Sequence, residues 1–229
     1  MTIGIIAAMD EEVAFLLENM TEKQETTVVG CLFVEGMLQG KEVVLLKSGI
    51  GKVNAAMATT IMHERFSPSH IINTGSAGGF AEDLEVGDVV ISTQVVHHDV
   101  DVTAFDYAYG QVPGMPAMFA ADTELITIAS KVISGLDIQS KEGIIATGDS
   151  FMENSNRVAF VKEKFPTMIA AEMEAAAVAQ VCYQYGKPFV IIRALSDIAG
   201  KQSSISFDEF LERAAKNASE LIIAMMKEL

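Results

Sequence analysis

Segments that read as strands alternate with segments that read as helices from one end of this chain to the other, and few folds accommodate such an order. Residues 2–8 (TIGIIAA) form an apolar run, after which Met9, Val13, Leu16, Leu17 and Met20 follow at helical spacing. Residues 28–38 and 42–48 predict a hairpin about Gln39-Gly40, the first strand alternating and the second nearly all apolar. Gly49 and Gly51 lead into a helix over 52–66 that Pro68 closes. Further strands are expected at 70–75, 88–97, 142–148, 167–171 and 189–195, the last opened by Pro188. Helices are expected at 122–134, 154–165 and 173–185, and a long loop over 98–121 carries Pro113, Pro116 and two tyrosines. The last helix is the best specified. Ser206 and Glu209 form a capping box, and Phe207, Phe210, Leu211, Ala214, Ala215, Ala218, Leu221, Ile222 and Met225 repeat at helical spacing. Strands that are apolar on both faces need cover on both, so the expected class is α/β, with the sheet between helical layers. No repeat, low-complexity stretch or linker interrupts the 229 residues, and 1–229 is read as one domain.

Composition narrows the partners. Sixteen Lys and Arg against 31 Asp and Glu give a net charge of −15. That excludes partners dominated by a phosphate backbone, so no nucleic acid is expected, and it disfavours anionic membrane surfaces. Apolar runs fall short of the ~20 residues a membrane span needs. Asp10, Glu11 and Glu12 come too early for a signal peptide. Cys31 and Cys182 make no disulfide framework and no metal spacing. A cytoplasmic protein is expected.

Local motifs leave alternatives open. Gly49-Ile50-Gly51-Lys52 sits at a strand-to-helix turn, but Val53 replaces the hydroxyl residue of a phosphate loop. Gly75-Ser76-Ala77-Gly78-Gly79 follows a strand, and Ala77 breaks the dinucleotide pattern. These glycines either permit tight turns or let a small ligand approach the backbone. Among the acids, Glu12 falls on the core-facing edge of its helix, with Phe15 and Leu16 one turn on. Glu174 lies on the stripe formed by Ala177, Val178, Val181, Cys182 and Tyr185, while Glu172 lies off it. Asp197 and Ser196 end an apolar strand that also contains Arg193. Each of these acids alone could be a cap or a buried ion pair. Together with a buried arginine they point to one polar site in an α/β cleft. His97, His98, Asp99 and Asp101 form the one metal-like cluster, yet strand alternation splits the two histidines, so an interface or loop-anchoring role is preferred and no metal is expected.

Seven segments carry a resemblance: IGIIAAMDEE at the start, SGIGKVNAA at 48–56, NTGSAGG at 73–79, HHDVDVTAFDYAYGQVPGMP at 97–116, TGDSF at 147–151, EMEAAAVAQVC at 172–182 and RALSDIA at 193–199. In order and spacing the chain resembles the bacterial 5′-methylthioadenosine/S-adenosylhomocysteine nucleosidases of the nucleoside phosphorylase superfamily. The resemblance implies a three-layer α/β/α sandwich with a central mixed β-sheet and a homodimer. It implies hydrolysis of the N-ribosidic bond of thio-adenosine nucleosides, and of 5′-deoxyadenosine, with no cofactor. On that reading Asp197 protonates adenine N7, which requires a pKa above the ~3.9 of a free aspartate. Glu174 holds the 2′-hydroxyl and stabilises an oxocarbenium-like ribose, and Glu12 activates water, with Arg193 and Ser76 orienting both. Phe151 stacks on the base, the Met152 backbone reads its edge, and Ala77, Gly78 and Ser196 are further substrate-binding positions. Met173 floors the ribose, Met9, Ile50 and Phe207 line the sugar and 5′-thio region, and Val102, Phe105 and Pro113 enter from the partner subunit.

Three rivals remain. A phosphorylase would need basic residues around the nucleophile, where only Arg193 is near. A nucleosidase for another 6-aminopurine nucleoside, such as aminodeoxyfutalosine, would use nearly the same residues. A non-catalytic nucleoside sensor would be expected to lack Glu12, Glu174 or Asp197, and all three are present.

Overall fold

The computed structural model describes residues 1–201 and 203–229. One mixed sheet organises them. In its open half, β1 (Ile3–Ala7) lies between two parallel neighbours, β4 (Lys41–Lys47) and β5 (His70–Gly79). Outside β4 follow β3 (Cys31–Leu38) and β2 (Thr21–Val28), both antiparallel. The other half curls. β10 (Phe189–Ile198) pairs with β5 and with β6 (Val89–His97); β6 continues to β8 (Ser140–Thr147), and β8 to β9 (Met168–Glu172). β9 then returns to β5 through Gly78–Ala171 and Gly79–Ala170, so five strands close on themselves. The two-residue β7 (Phe119–Ala120) adds to β6 at the end of the long loop.

Strand alternation sorts apolar side chains to two faces. Ile5, Val43, Leu45, Ile72, Val190 and Ile192 pack beneath α1 (Asp10–Asn19), α3 (Thr123–Ile133) and α6 (Ser203–Met225). Ile6, Val44, Leu46, Ile71 and Ile191 pack beneath α2 (Lys52–Phe66) and α5 (Ala175–Tyr185). The sixth helix among the described residues, α4 (Ser155–Lys164), covers a smaller cluster around Phe80, Val96 and Phe165. This is the expected three-layer α/β/α arrangement about a central mixed sheet. Asp122 and Asn154 cap α3 and α4, each side chain accepting two backbone N–H groups.

The structure corrects four local expectations. Residues 21–28 are a strand, so β3 starts at Cys31 and not at 28. β2 is an edge strand whose first seven residues are exposed, and a strand wet on both sides gives no alternating apolar signal. Gly75–Gly79 is not a turn but the end of β5. Ser206 is not a cap: α6 begins at Ser203, and the Ser206 hydroxyl donates to the Ser196 carbonyl at 3.0 Å. Finally, α5 begins at Ala175, leaving Glu172 in β9 and Glu174 as the residue before the helix.

Among the described residues no helix is long and apolar enough to cross a membrane.

Candidate active site

The carboxyl ends of β1, β4, β5, β8, β9 and β10 and the start of α6 surround a cavity of about 340 Å³. Crevices at the carboxyl ends of parallel strands are where open α/β sheets bind ligands. Met9, Glu12, Ile50, Ser76, Ala77, Gly78, Phe151, Met152, Met173, Glu174, Ser196, Asp197 and Phe207 all line it. Phe151 and Phe207 meet edge to face at 5.8 Å across the mouth, with Phe151 43% exposed. Sequence reasoning missed Ala8, Ser150, Ala171, Glu172, Ser204 and Asp208, which also line the cavity. Ala8, Ser150, Ala171, Glu172 and Asp208 each stand within two residues of a predicted site residue, and that adjacency is the signal the sequence offers.

Glu12 is the third residue of α1 and reaches back over its own helix start. Its Oε2 accepts the N–H groups of Ala8 and Met9 at 2.9 and 3.3 Å, while Oε1 accepts the Ser76 N–H and hydroxyl at 2.9 and 3.0 Å. This arrangement explains why an acid can be 98% buried beside a helix start: N–H donors and the helix dipole replace water.

Arg193 is fully buried beneath the cavity and does not line it. Its guanidinium donates to the Thr74 carbonyl and the Asn73 side chain, each at 2.9 Å. It pairs closely with Glu172 and, at 3.4 Å, with Glu174. Burial alone would lower the arginine pKa, but Glu172, Glu174 and Glu12 outweigh it and raise it, so the charge is fixed. Gly75 makes room for this assembly. With φ at +141°, a Cβ there would sit 2.3 Å from Arg193 Nη1 and 2.5 Å from Glu12 Oε1.

Glu172 lies off the apolar stripe, as its spacing indicated, yet it is buried, because it belongs to a strand and not to a helix. Its Oε2 accepts the Glu174 and Ala175 N–H groups at 2.9 and 2.8 Å, capping α5, and Thr147 donates to its other oxygen. Glu174 is turned inward by specific partners: the Gly51 N–H donates to its Oε1 at 2.8 Å and Arg193 approaches its Oε2. Burial, reinforced by Glu172 and opposed by Arg193, pushes the Glu174 carboxyl up to about 8.

A stability prediction follows from that shift. Between the ordinary 4.5 and about 8 the folded chain keeps a proton that the unfolded chain releases, so stability falls as pH rises, by up to about 1 kcal/mol per pH unit. His63, lowered by burial to about 4, acts in the opposite sense between that value and 6.5, so the readout is a difference. Glu174→Gln should flatten the descending limb in urea unfolding across pH 5–8, relative to wild type. Parallel profiles would refute the buried titration.

Asp197 stands opposite Gly78, just beyond an irregularity in the β10–β5 register. Such bulges re-aim side chains, here toward the cavity. The Ser196 hydroxyl donates to Asp197 Oδ1 at 2.9 Å, and a Cβ on Gly78 would lie 3.1 Å from Oδ2. Val102, Phe105 and Pro113 do not line this chain's cavity; they lie on the long loop, where Phe105 is 75% exposed. Of the histidines, His97 bonds Gln180 at 3.1 Å and His98 packs against Gly148. Among the described residues no group of three or more His, Cys, Asp or Glu is arranged to hold a metal ion.

A cavity with inward carboxylates at the strand ends of a mixed, partly closed sheet is accompanied by a match of residues 2–227 to the model of the phosphorylase superfamily. A 5′-methylthioadenosine/S-adenosylhomocysteine nucleosidase of Oceanobacillus iheyensis is 65% identical over 229 residues, covering all of both chains. The solved nucleosidase of that name from Colwellia psychrerythraea, in complex with adenine, is 50% identical, with a TM-score of 0.98 over 100% of this chain and 96% of that one. Its counterpart from Neisseria meningitidis, in complex with methylthio-immucillin-A, is 48% identical, with a TM-score of 0.98 over 100% and 99%. The chain therefore belongs to the phosphorylase superfamily and, within it, to the 5′-methylthioadenosine/S-adenosylhomocysteine nucleosidases.

Proposed function

We propose that this chain hydrolyses the N-ribosidic bond of 5′-methylthioadenosine and S-adenosylhomocysteine, releasing adenine and the 5-thioribose or S-ribosylhomocysteine. The observation that carries the reading is the placement of Glu12, Glu174 and Asp197 around one cavity that is otherwise largely apolar. Bond breaking at C1′ leaves a cation on the sugar and a charge on the departing base, and these acids meet both needs. Asp197, beside Ser196, delivers a proton to adenine N7. Glu174 accepts the 2′-hydroxyl and faces the developing cation; Arg193 and that cation both favour its ionised form, so its stabilisation grows toward the transition state. Glu12 holds a water with Ser76 and takes its proton as it adds to C1′. Phe151 and Phe207 enclose the base and sugar, the Met152 backbone reads the base edge, and Met9, Ile50 and Met173 line the ribose.

Water is the nucleophile on this reading because among the described residues no Lys or Arg lines the cavity, and the guanidinium of Arg193 below it is committed to Glu172, Glu174, Asn73 and Thr74. Phosphate would meet carboxylates there. Incubation with methylthioadenosine, with and without phosphate, tests this directly. Adenine should appear at the same rate in both; turnover that needs phosphate, or none at all, would overturn the proposal.

The superfamily match over 2–227 and the single connected sheet support reading 1–229 as one catalytic domain. Two buried free thiols suit a reducing compartment, in keeping with a cytoplasmic enzyme. The functional unit is a homodimer in which the partner supplies Val102, Phe105 and Pro113 to the 5′-thio region. An exposed phenylalanine on a long loop is otherwise unexplained. Phe105→Ala should raise KM for methylthioadenosine about tenfold, the cost of one lost aromatic contact, while leaving kcat close to wild type. An unchanged KM would remove the shared pocket.

A further inference from the structure

Three loops at the mouth of the cavity are tied together by groups that do not touch the cavity themselves. The Lys52 ammonium bonds Asp99 Oδ1 at 2.6 Å. The other oxygen, Asp99 Oδ2, accepts the Asp149 N–H at 3.0 Å. Asp149 Oδ1 in turn accepts the Lys52 backbone N–H at 2.8 Å, closing a ring of three residues. Lys52 and Asp99 are only 20% and 25% exposed at their side chains, so water competes weakly for the ion pair. Burial would raise the Asp99 carboxyl, but Lys52 and the Asp149 N–H outweigh it and hold it below the usual range.

The ring joins the turns that follow β4, β6 and β8. Each turn delivers something to the site. One residue before Lys52, the Gly51 N–H donates to Glu174; two before it, Ile50 lines the cavity. Phe151 and Met152 follow Asp149 by two and three residues and also line it. Asp99 begins the long loop that carries Val102 and Phe105.

We infer that Asp99 is a positioning residue of this enzyme: through Lys52 and Asp149 it holds the Glu174 donor and the Phe151–Met152 wall in a single arrangement, so that the mouth is set before substrate arrives. The inference rests on the nucleosidase reading for its kinetic consequence, and on the geometry alone for its dynamic one. A preset wall lowers the ordering cost of binding, which belongs to KM and not to the chemical step.

The test uses the intact enzyme and the variants Asp99→Asn, Lys52→Met, their double, and Lys52→Arg. Asp99→Asn and Lys52→Met should each raise KM for methylthioadenosine about tenfold, with kcat changed no more than about threefold, since one charge-assisted bond is lost. The double should be no worse than either single, because both remove the same link. Lys52→Arg, which keeps the charge, should restore most of the affinity. Amide hydrogen exchange across 148–152 should quicken in Asp99→Asn while β1 and β5 keep their protection. Unchanged KM, additive effects, or exchange that quickens everywhere would overturn the positioning role. If the wild-type enzyme released no adenine, the nucleosidase reading would fall, and the exchange result would still decide whether the ring holds the mouth.

Discussion

Asp197→Asn should abolish most adenine release from methylthioadenosine, by about 10³-fold in kcat, with the thermal unfolding midpoint close to wild type. An amide keeps the size of the side chain and its capacity to accept from the Ser196 hydroxyl, so the bulge in β10 survives. On the proposed assignment, what it lacks is the proton that adenine needs as it leaves. On the same proposed assignment Glu12→Gln should fall by a similar factor for the complementary reason: its single amide oxygen can accept from Ala8 and Met9 or from Ser76 but not from both sets of donors, and it cannot take a proton from water. Adenine release near the wild-type rate from either variant would defeat the assignment. Loss of activity accompanied by unfolding would instead mark the residue as structural.

The second large effect concerns the cation beneath the site. Arg193→Met should destabilise the fold by about 3–5 kcal/mol, because it leaves Glu172, Glu174 and Glu12 buried together without their shared counter-charge. For a chain of this size that corresponds to a drop of roughly 10 °C in the unfolding midpoint. The sign with pH is fixed: as pH rises the orphaned carboxyls must ionise in a low-dielectric site, so the deficit should grow from pH 5 to 8. A deficit that shrinks over that interval, or a midpoint within 2 °C of wild type, would contradict the proposed cluster.

Arg193 also shows how far the sequence could be read. A single arginine in the apolar run 189–195 announces an expensive buried charge, and Glu12 announces itself through helical projection; both sit where that reasoning puts them. The order of strands and helices was legible because strands buried on both faces and amphipathic helices each leave a periodic signal. Glu172 was harder. Its sequence neighbours resemble a helix start, and only the capping of α5 by its own carboxylate, visible in three dimensions, separates strand from helix there. The spacing that put Glu174 on the apolar stripe matches its burial, but its partner is beyond any spacing: Gly51, 123 residues away, supplies its hydrogen bond. The end of β5 was hidden by its glycines. They read as punctuation, yet they are strand positions from which side chains are excluded by Arg193, Glu12 and Asp197. β2, polar throughout its exposed length, left no periodic trace at all.

The closure of five strands through β10 has a consequence for how such a chain comes off the ribosome. Among the described residues β10 is the last strand in chain order, and it brings both Arg193 and Asp197. Until then the emerging chain carries Glu12, Glu172 and Glu174 with no cation to gather them, and β5 lacks its neighbour on the site side. Contacts spanning more than a hundred residues are costly to form early. The centre therefore cannot be assembled before residues 189–198 emerge, and a chain cut short of them lacks both Arg193 and Asp197.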